Sequence, residues 1–335
     1  MHIGKSYRLT DFLYWTRRDL YILTVVGAVP VILYETFGLR WLVLPWTVVS
    51  LFGTATAFIV GFKNSQSYNR TRDAQNIWTN IGNTSNTWGI MCRDYFGDSP
   101  IARALVYRHF AWLTALRYQL RGERVWESTD VQHNAEYQQY YTIPERTSSL
   151  ESELAKYLSP EELQQIAGVR SKTTQLLAMQ SAAVKAAYGE NTVQLAQFIE
   201  LQRTINLFFA QTAQSESLKD TPYPRQYSIV NNIFVRIFCA LLPFGLLREF
   251  DSLNRAAPGL LHGHMVWLLI PFSVMISWIY TSLVQVGEST ENPFEGNSND
   301  VPISQICRAI EIDLREMLGE KELPPPIVPQ NDIII

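Results

Sequence analysis

The stretch Trp41–Phe62, WLVLPWTVVSLFGTATAFIVGF, runs for 22 residues without a charged side chain. About 20 such residues in a helix cross the hydrocarbon core of a bilayer. A second uncharged run of 22 residues extends from Met265 to Val286 and carries Trp267, Trp278 and Tyr280, residue types that favour the membrane–water interface. Two weaker candidates accompany them. Leu20–Tyr34 is short but extends past Glu35 to the Gly38-Leu39 loop, and Ser228–Leu247 is interrupted by Asn231, Asn232 and Arg236. The reading is four transmembrane helices in two pairs, 20–62 and 228–287, joined within each pair by connectors near 38–41 and 249–262. The competing reading, buried helices of a large soluble core, suits two uninterrupted runs of this length poorly.

Averages conceal this partition. The chain has 335 residues, 28 Lys+Arg against 31 Asp+Glu, and a net charge of -3. Its mean hydropathy of -0.04 would suit an ordinary soluble protein. A near-neutral balance argues against nucleic acid as a partner, since such binders carry a basic excess. Cys92, Cys239 and Cys307 are far apart and odd in number, so neither a disulfide framework nor a zinc spacing is present and free thiols are expected. Phosphate-binding Gly loops, HExxH, GxSxG and carboxylate–His pairs are all missing, and an enzyme is not expected. His262 and His264 are a weak two-ligand zinc candidate.

Loop charges set the expected orientation. Lys5, Arg8, Arg17 and Arg18 precede the first span, and Lys63, Arg70 and Arg72 follow the second. The connectors hold Arg40 and Arg255, with Arg248 at an edge. The positive-inside rule then puts both termini and the middle segment in the cytoplasm of a multi-pass plasma (inner) membrane protein. The domain reading is a cytoplasmic N-terminal segment (1–19), a first span pair (20–62), a cytoplasmic helical region (63–227), a second pair (228–287) and a cytoplasmic C-terminal helix with a Pro-rich tail (288–335). The middle is all-α. Ser159-Pro160-Glu161-Glu162 is an N-terminal capping signal, helical periodicity recurs in Ala102–Leu120, Thr173–Ala187 and Val193–Thr212, and the second span is expected to run on past the membrane surface.

Thr54, Phe58 and Phe62 fall four apart on one slowly drifting helix face, and Gly53, Ala57 and Gly61 form a neighbouring stripe. The stripe reads as a close-packing seam. The rings read either as lipid- or core-facing aromatics or as a hydrophobic constriction that gates by dewetting. Arg236 reads either as a pore-lining residue or, by preference, as one pairing with a neighbouring helix's polar group, and Glu311, Asp313 and Glu316 read as a solvated helix face. The tail Glu322–Ile335 is expected to be extended.

Three runs carry a family resemblance. GFKNSQSYNRTRDAQNIW is similar to the bestrophin pattern at Gly61, Phe62, Asn64, Tyr68, Arg70, Ala74 and Trp78, with Asp73 in place of Glu; Thr71-Arg72 and Gln75 depart from it. SESLKDTPYPRQY matches at Glu216, Thr221, Pro222, Pro224 and Tyr227, and ENPFEGNSNDVP resembles the family's N-P-F run. In order and spacing they cover roughly residues 1–320. The resemblance implies a homopentamer with one axial pore conducting small ions, chloride by default. Its neck would be Thr54, Phe58 and Phe62, with Thr54 where an aliphatic residue is usual, and Ile199 would form a cytoplasmic constriction. Eukaryotic relatives bind calcium after N-P-F; here Asp300 is a candidate hard ligand, but Asn297 replaces an acid, and no cofactor is expected. A cation-selective channel of the same fold and a non-conducting scaffold docking a soluble partner stay open as alternatives.

Overall fold

The computed structural model describes residues 1–5, 8–128, 132–254 and 263–335. Among them the chain is helical, and the extended segments form only isolated bridges, His2 with Ile333 and Gln330 with Ile333. Two compact units emerge. One comprises Met1–Gly4, Arg70–Pro222 and Asn292–Ile335, and the other Lys5–Asn69 and Tyr223–Glu291.

The second unit contains α1 (Leu9–Glu35), the first part of α2 (Trp46–Phe96), α10 (Arg225–Asn254) and α11 (Leu269–Ser289). Three helices among the described residues are long and apolar enough to cross a membrane: α2, α10, and α11 with the 3-10 turn before it from Met265. Helix α1 is not among them. The apolar run from Leu20 is the second half of a longer helix whose first turns carry Asp11, Arg17, Arg18 and Asp19. It nevertheless packs beside α10 and α11. Trp278 donates to Thr16 Oγ1 at 2.9 Å and Gln285 to Asp19 Oδ2 at 2.5 Å, so its polar first turns are answered by side chains of α11. Pro45 delays α2 to Trp46, and the run from Trp41 begins in a 3-10 turn, Arg40–Leu42.

The face of α2 that packs is Val49, Gly53, Thr56, Val60, Lys63 and Ser67, a three-four alternation. Gly53 lets the Phe238 ring of α10 come within 2.5 Å of where a Cβ would stand, while Tyr280 of α11 donates to the Gly53 carbonyl at 3.2 Å. Gly245 of α10 accepts Val49 in the same manner. This corrects the expected seam. Of Gly53, Ala57 and Gly61 only Gly53 is packed; Ala57 is exposed and nothing lies within 4 Å of a Cβ at Gly61. The reason is register, since the buried face alternates three and four rather than holding to four. Lys63 is buried at the end of this face, 3.2 Å from Glu291 and 3.1 Å from Ser228 Oγ. Arg236 also departs from expectation. It lies exposed on α10 and makes no hydrogen bond or ion pair among the described residues.

The other unit is built from the rest of α2, α3 (Pro100–Arg121), short helices α4 (Gln132–Gln138), α5 (Pro144–Thr147), α6 (Leu150–Leu154) and α7 (Pro160–Ile166), then α8 (Lys172–Gly189), α9 (Leu195–Asp220) and α12 (Ile303–Met317). Ser159 and Glu162 close the capping box that starts α7. The core joins Trp78, Trp88, Trp112, Phe110 and Phe208. His109 lies among these rings with Nε2 2.9 Å from Ser85 Oγ, and burial pushes its pKa down to about 3. Glu311 is buried and pairs with Arg308 at 3.2 Å and Arg315 at 3.4 Å, so the expected solvated face of α12 is restricted to Asp313 and Glu316. The tail ends docked: Ile333, Ile334 and Ile335 are buried, with Ile333 and Ile335 against Tyr141 and Ile143.

Gly53→Val forces Phe238 to move and is expected to destabilise by about 1–3 kcal/mol. Gly82→Ala, where a Cβ meets nothing within 4 Å, is expected to stabilise by about 0.4–1 kcal/mol. Thermal unfolding of both variants in detergent checks the pair.

Candidate functional site

Because α2 buries the Gly53–Val60 face, the opposite face turns outward. Phe58 is 64% and Phe62 71% exposed, and Thr54 is exposed one turn earlier. Two large rings left uncovered on a helix whose other side is close-packed form a face that the protomer does not use for its own core. The Thr54 hydroxyl donates to the Ser50 carbonyl at 2.9 Å. Its proton is therefore committed to the backbone, and only the oxygen's lone pairs face outward as acceptors.

Ile199 lies in the second turn of α9 and is 46% exposed. Helix α9 is anchored to α2 by the Trp88–Phe208 ring pair and by a 2.8 Å bond from Gln211 to Thr84 Oγ1. Its C-terminal carbonyls are capped by Arg70, which donates to Leu218 at 3.0 Å and Thr221 at 2.8 Å.

The loop after Asn292-Pro293-Phe294 is organised around two buried carboxylates. Asp300 Oδ1 accepts from the backbone N–H of Phe294 at 2.8 Å and of Val301 at 2.7 Å. Its Oδ2 accepts from Gly296 N at 2.8 Å and from Arg121 Nη1 at 2.7 Å. Four N–H donors occupy the lone pairs a calcium ion would need, so a cation at Asp300 has to displace a guanidinium and unmake the turn. Among the described residues no group of three or more His, Cys, Asp or Glu stands ready for a metal. His264 is exposed, whereas His262 and Arg255 lie outside the described residues.

Glu295 is the second carboxylate, and the expectation built on residue types alone gave it no role. It accepts from Ser128 N at 2.9 Å, from Ser128 Oγ at 2.8 Å and from Asn297 Nδ2. Burial, with the Asp300 charge adding to it, pushes its pKa up to about 8 against those donors. Nearby, Lys219 and Glu127 form an ion pair in which both side chains are 2% exposed. The only signal in sequence was proximity to N-P-F, because the partners come from Arg121, Ser128 and Lys219.

The three motif runs meet physically. Arg70 of the first caps α9 at Thr221 of the second, and Trp78 of the first lies 6.3 Å, ring to ring, from Phe294 of the third. A profile of the bacterial and fungal bestrophin proteins matches residues 18–316. The chain belongs to the bestrophin family. An Escherichia coli K12 protein named as a voltage-dependent anion channel-forming protein is 28% identical over 299 residues, covering 89% of this chain and 84% of its own. A Mesorhizobium japonicum protein of the same description is 23% identical over 91% of this chain and 85% of its own. The crystal structure of a bacterial bestrophin homologue from Klebsiella pneumoniae superposes with a TM-score of 0.73 at 22% identity, covering 91% of this chain and 98% of that one. The shared helical fold is thus that of this bacterial bestrophin.

Asp300→Ala leaves Arg121 buried without its closest partner and is expected to cost about 3–5 kcal/mol, read as a drop in thermal midpoint. Glu295 holds its proton in the folded chain up to about pH 8, whereas an unfolded glutamate releases it near 4.3. The folded state therefore binds the extra proton between those values, and its stability falls as pH rises through that window. Unfolding midpoints across pH 5–8 should show this slope in the wild type and a flatter one in Glu295→Gln.

Proposed function

We propose that this bestrophin is an anion channel of the plasma (inner) membrane, a homopentamer whose copies surround one axial pore. Each copy contributes four spans, α1, the first part of α2, α10 and α11, with both termini and the 63–227 region in the cytoplasm. Thr54, Phe58 and Phe62 form the neck, and Ile199 of α9 narrows the cytoplasmic path. No cofactor enters this reading.

The observation that carries it is the outward face of α2. A membrane-length helix holds one side tightly packed and leaves Phe58 and Phe62 uncovered on the other, and a ring of such aromatics excludes water from a narrow pore. The anion preference rests on the relatives described as voltage-dependent anion channel-forming proteins. Thr54 makes the first level of the neck less dry than the two below it, because an oxygen with free lone pairs faces outward there.

Phe58→Ala combined with Phe62→Ala is expected to raise conductance or open probability in planar bilayers, because both rings of the constriction are removed. Unchanged currents from a well-folded double variant would count against the neck.

A further inference from the structure

Arg236 is a guanidinium in the middle of an apolar helix with no hydrogen-bond or ion-pair partner among the described residues. Its exposed neighbours on α10 are Ile229, Ile233 and Ile237, at 56%, 49% and 40%. A charge held in hydrocarbon costs several kcal/mol unless protein groups or water receive it, and the described residues of the protomer supply no such group.

Contacts inside this unit fix its depth. Phe234 lies 5.6 Å, ring to ring, from Phe52, Phe238 fills the space beside Gly53, and Gly245 sits against Val49. Arg236, between Phe234 and Phe238, is therefore level with Thr54. It cannot reach its own Thr54. Two residues from each of the side chains that touch α2, it is turned roughly 200° around α10, while Thr54 is on the face of α2 turned away from α10.

Resting on the channel reading above, we propose that Arg236 of one copy is received by the neck of the next, at a second copy's Thr54. Copies related by an axis along the membrane normal keep every residue at its own depth, so Arg236 meets only groups at the Thr54 level of a neighbour. Thr54 is fitted to receive it: its proton is donated to Ser50, and its oxygen accepts from the guanidinium. Two residues unusual for their surroundings, a threonine in an aromatic neck and an arginine in an apolar span, thereby account for each other. Five guanidinium groups around the first level of the neck give it the positive charge that the neck residues lack, and they favour anions over cations.

The test is disulfide trapping of Thr54→Cys/Arg236→Cys in the full chain, in membranes. Cys92, Cys239 and Cys307 are buried, and either single variant, with one new thiol per copy, links copies into dimers at most. Oxidation of the double variant is expected to give a ladder extending beyond dimers on non-reducing gels. In asymmetric NaCl, Arg236→Gln is expected to lower the chloride-to-sodium permeability ratio several-fold. A conducting wild-type oligomer whose double variant stops at dimers overturns this inference alone, and so does an unchanged ratio in Arg236→Gln. A wild type that neither assembles nor conducts overturns the channel reading and this inference together.

Discussion

The choice of which side of α2 is buried determines everything proposed for this chain. Gly53 admits the Phe238 ring, Val49 fills the space left by Gly245, and Lys63 closes the same face with Glu291. Those contacts fix the rotation of the helix about its own axis. With that rotation set, Thr54, Phe58 and Phe62 have no way to reach the interior of their own chain. A face of bulky rings with no intramolecular partner is a demand on something else, whether lipid, a neighbouring copy or a pore.

The same helix continues to Phe96 without a proline or a break, and its composition changes as it goes. Beyond Arg70 its buried positions include Ala74, Trp78, Ile81 and Trp88, and the partners become Phe208, Phe294 and the rings around His109. Here packing follows the rules of a water-soluble core: large aromatics inside, amides and hydroxyls such as Asn76, Thr79, Asn80 and Thr87 outside. The polar loop at Asp300 and Glu295 belongs to this environment. Its cluster of Arg121, Lys219 and Glu127 is buried, so each charge there is held by a specific partner.

Much of this was legible in the sequence, for identifiable reasons. Long uncharged runs report membrane-length helices directly, and Ser159-Pro160 with Glu162 announces the start of α7 through local chemistry. What failed was whatever depends on a neighbouring helix. Spacing of four suggested that Gly53, Ala57 and Gly61 pack together, but the buried face of α2 follows a three-four alternation and includes only Gly53. Glu311 resembled a solvated acid until Arg308 and Arg315 were placed beside it. Arg236 suggested a partner that is not found among the described residues of its own chain, and Asp300 suggested a metal ligand where Arg121, 179 residues away in sequence, already serves as the cation.

A shared pore requires the uncovered α2 faces of several copies to converge on one axis, and the mass of the detergent-solubilised particle tests this most directly. Light scattering corrected for detergent, or native mass spectrometry, should give a protein mass five times the 38.4 kDa chain. A particle that holds only one or two chains under conditions that keep it folded would contradict the shared pore.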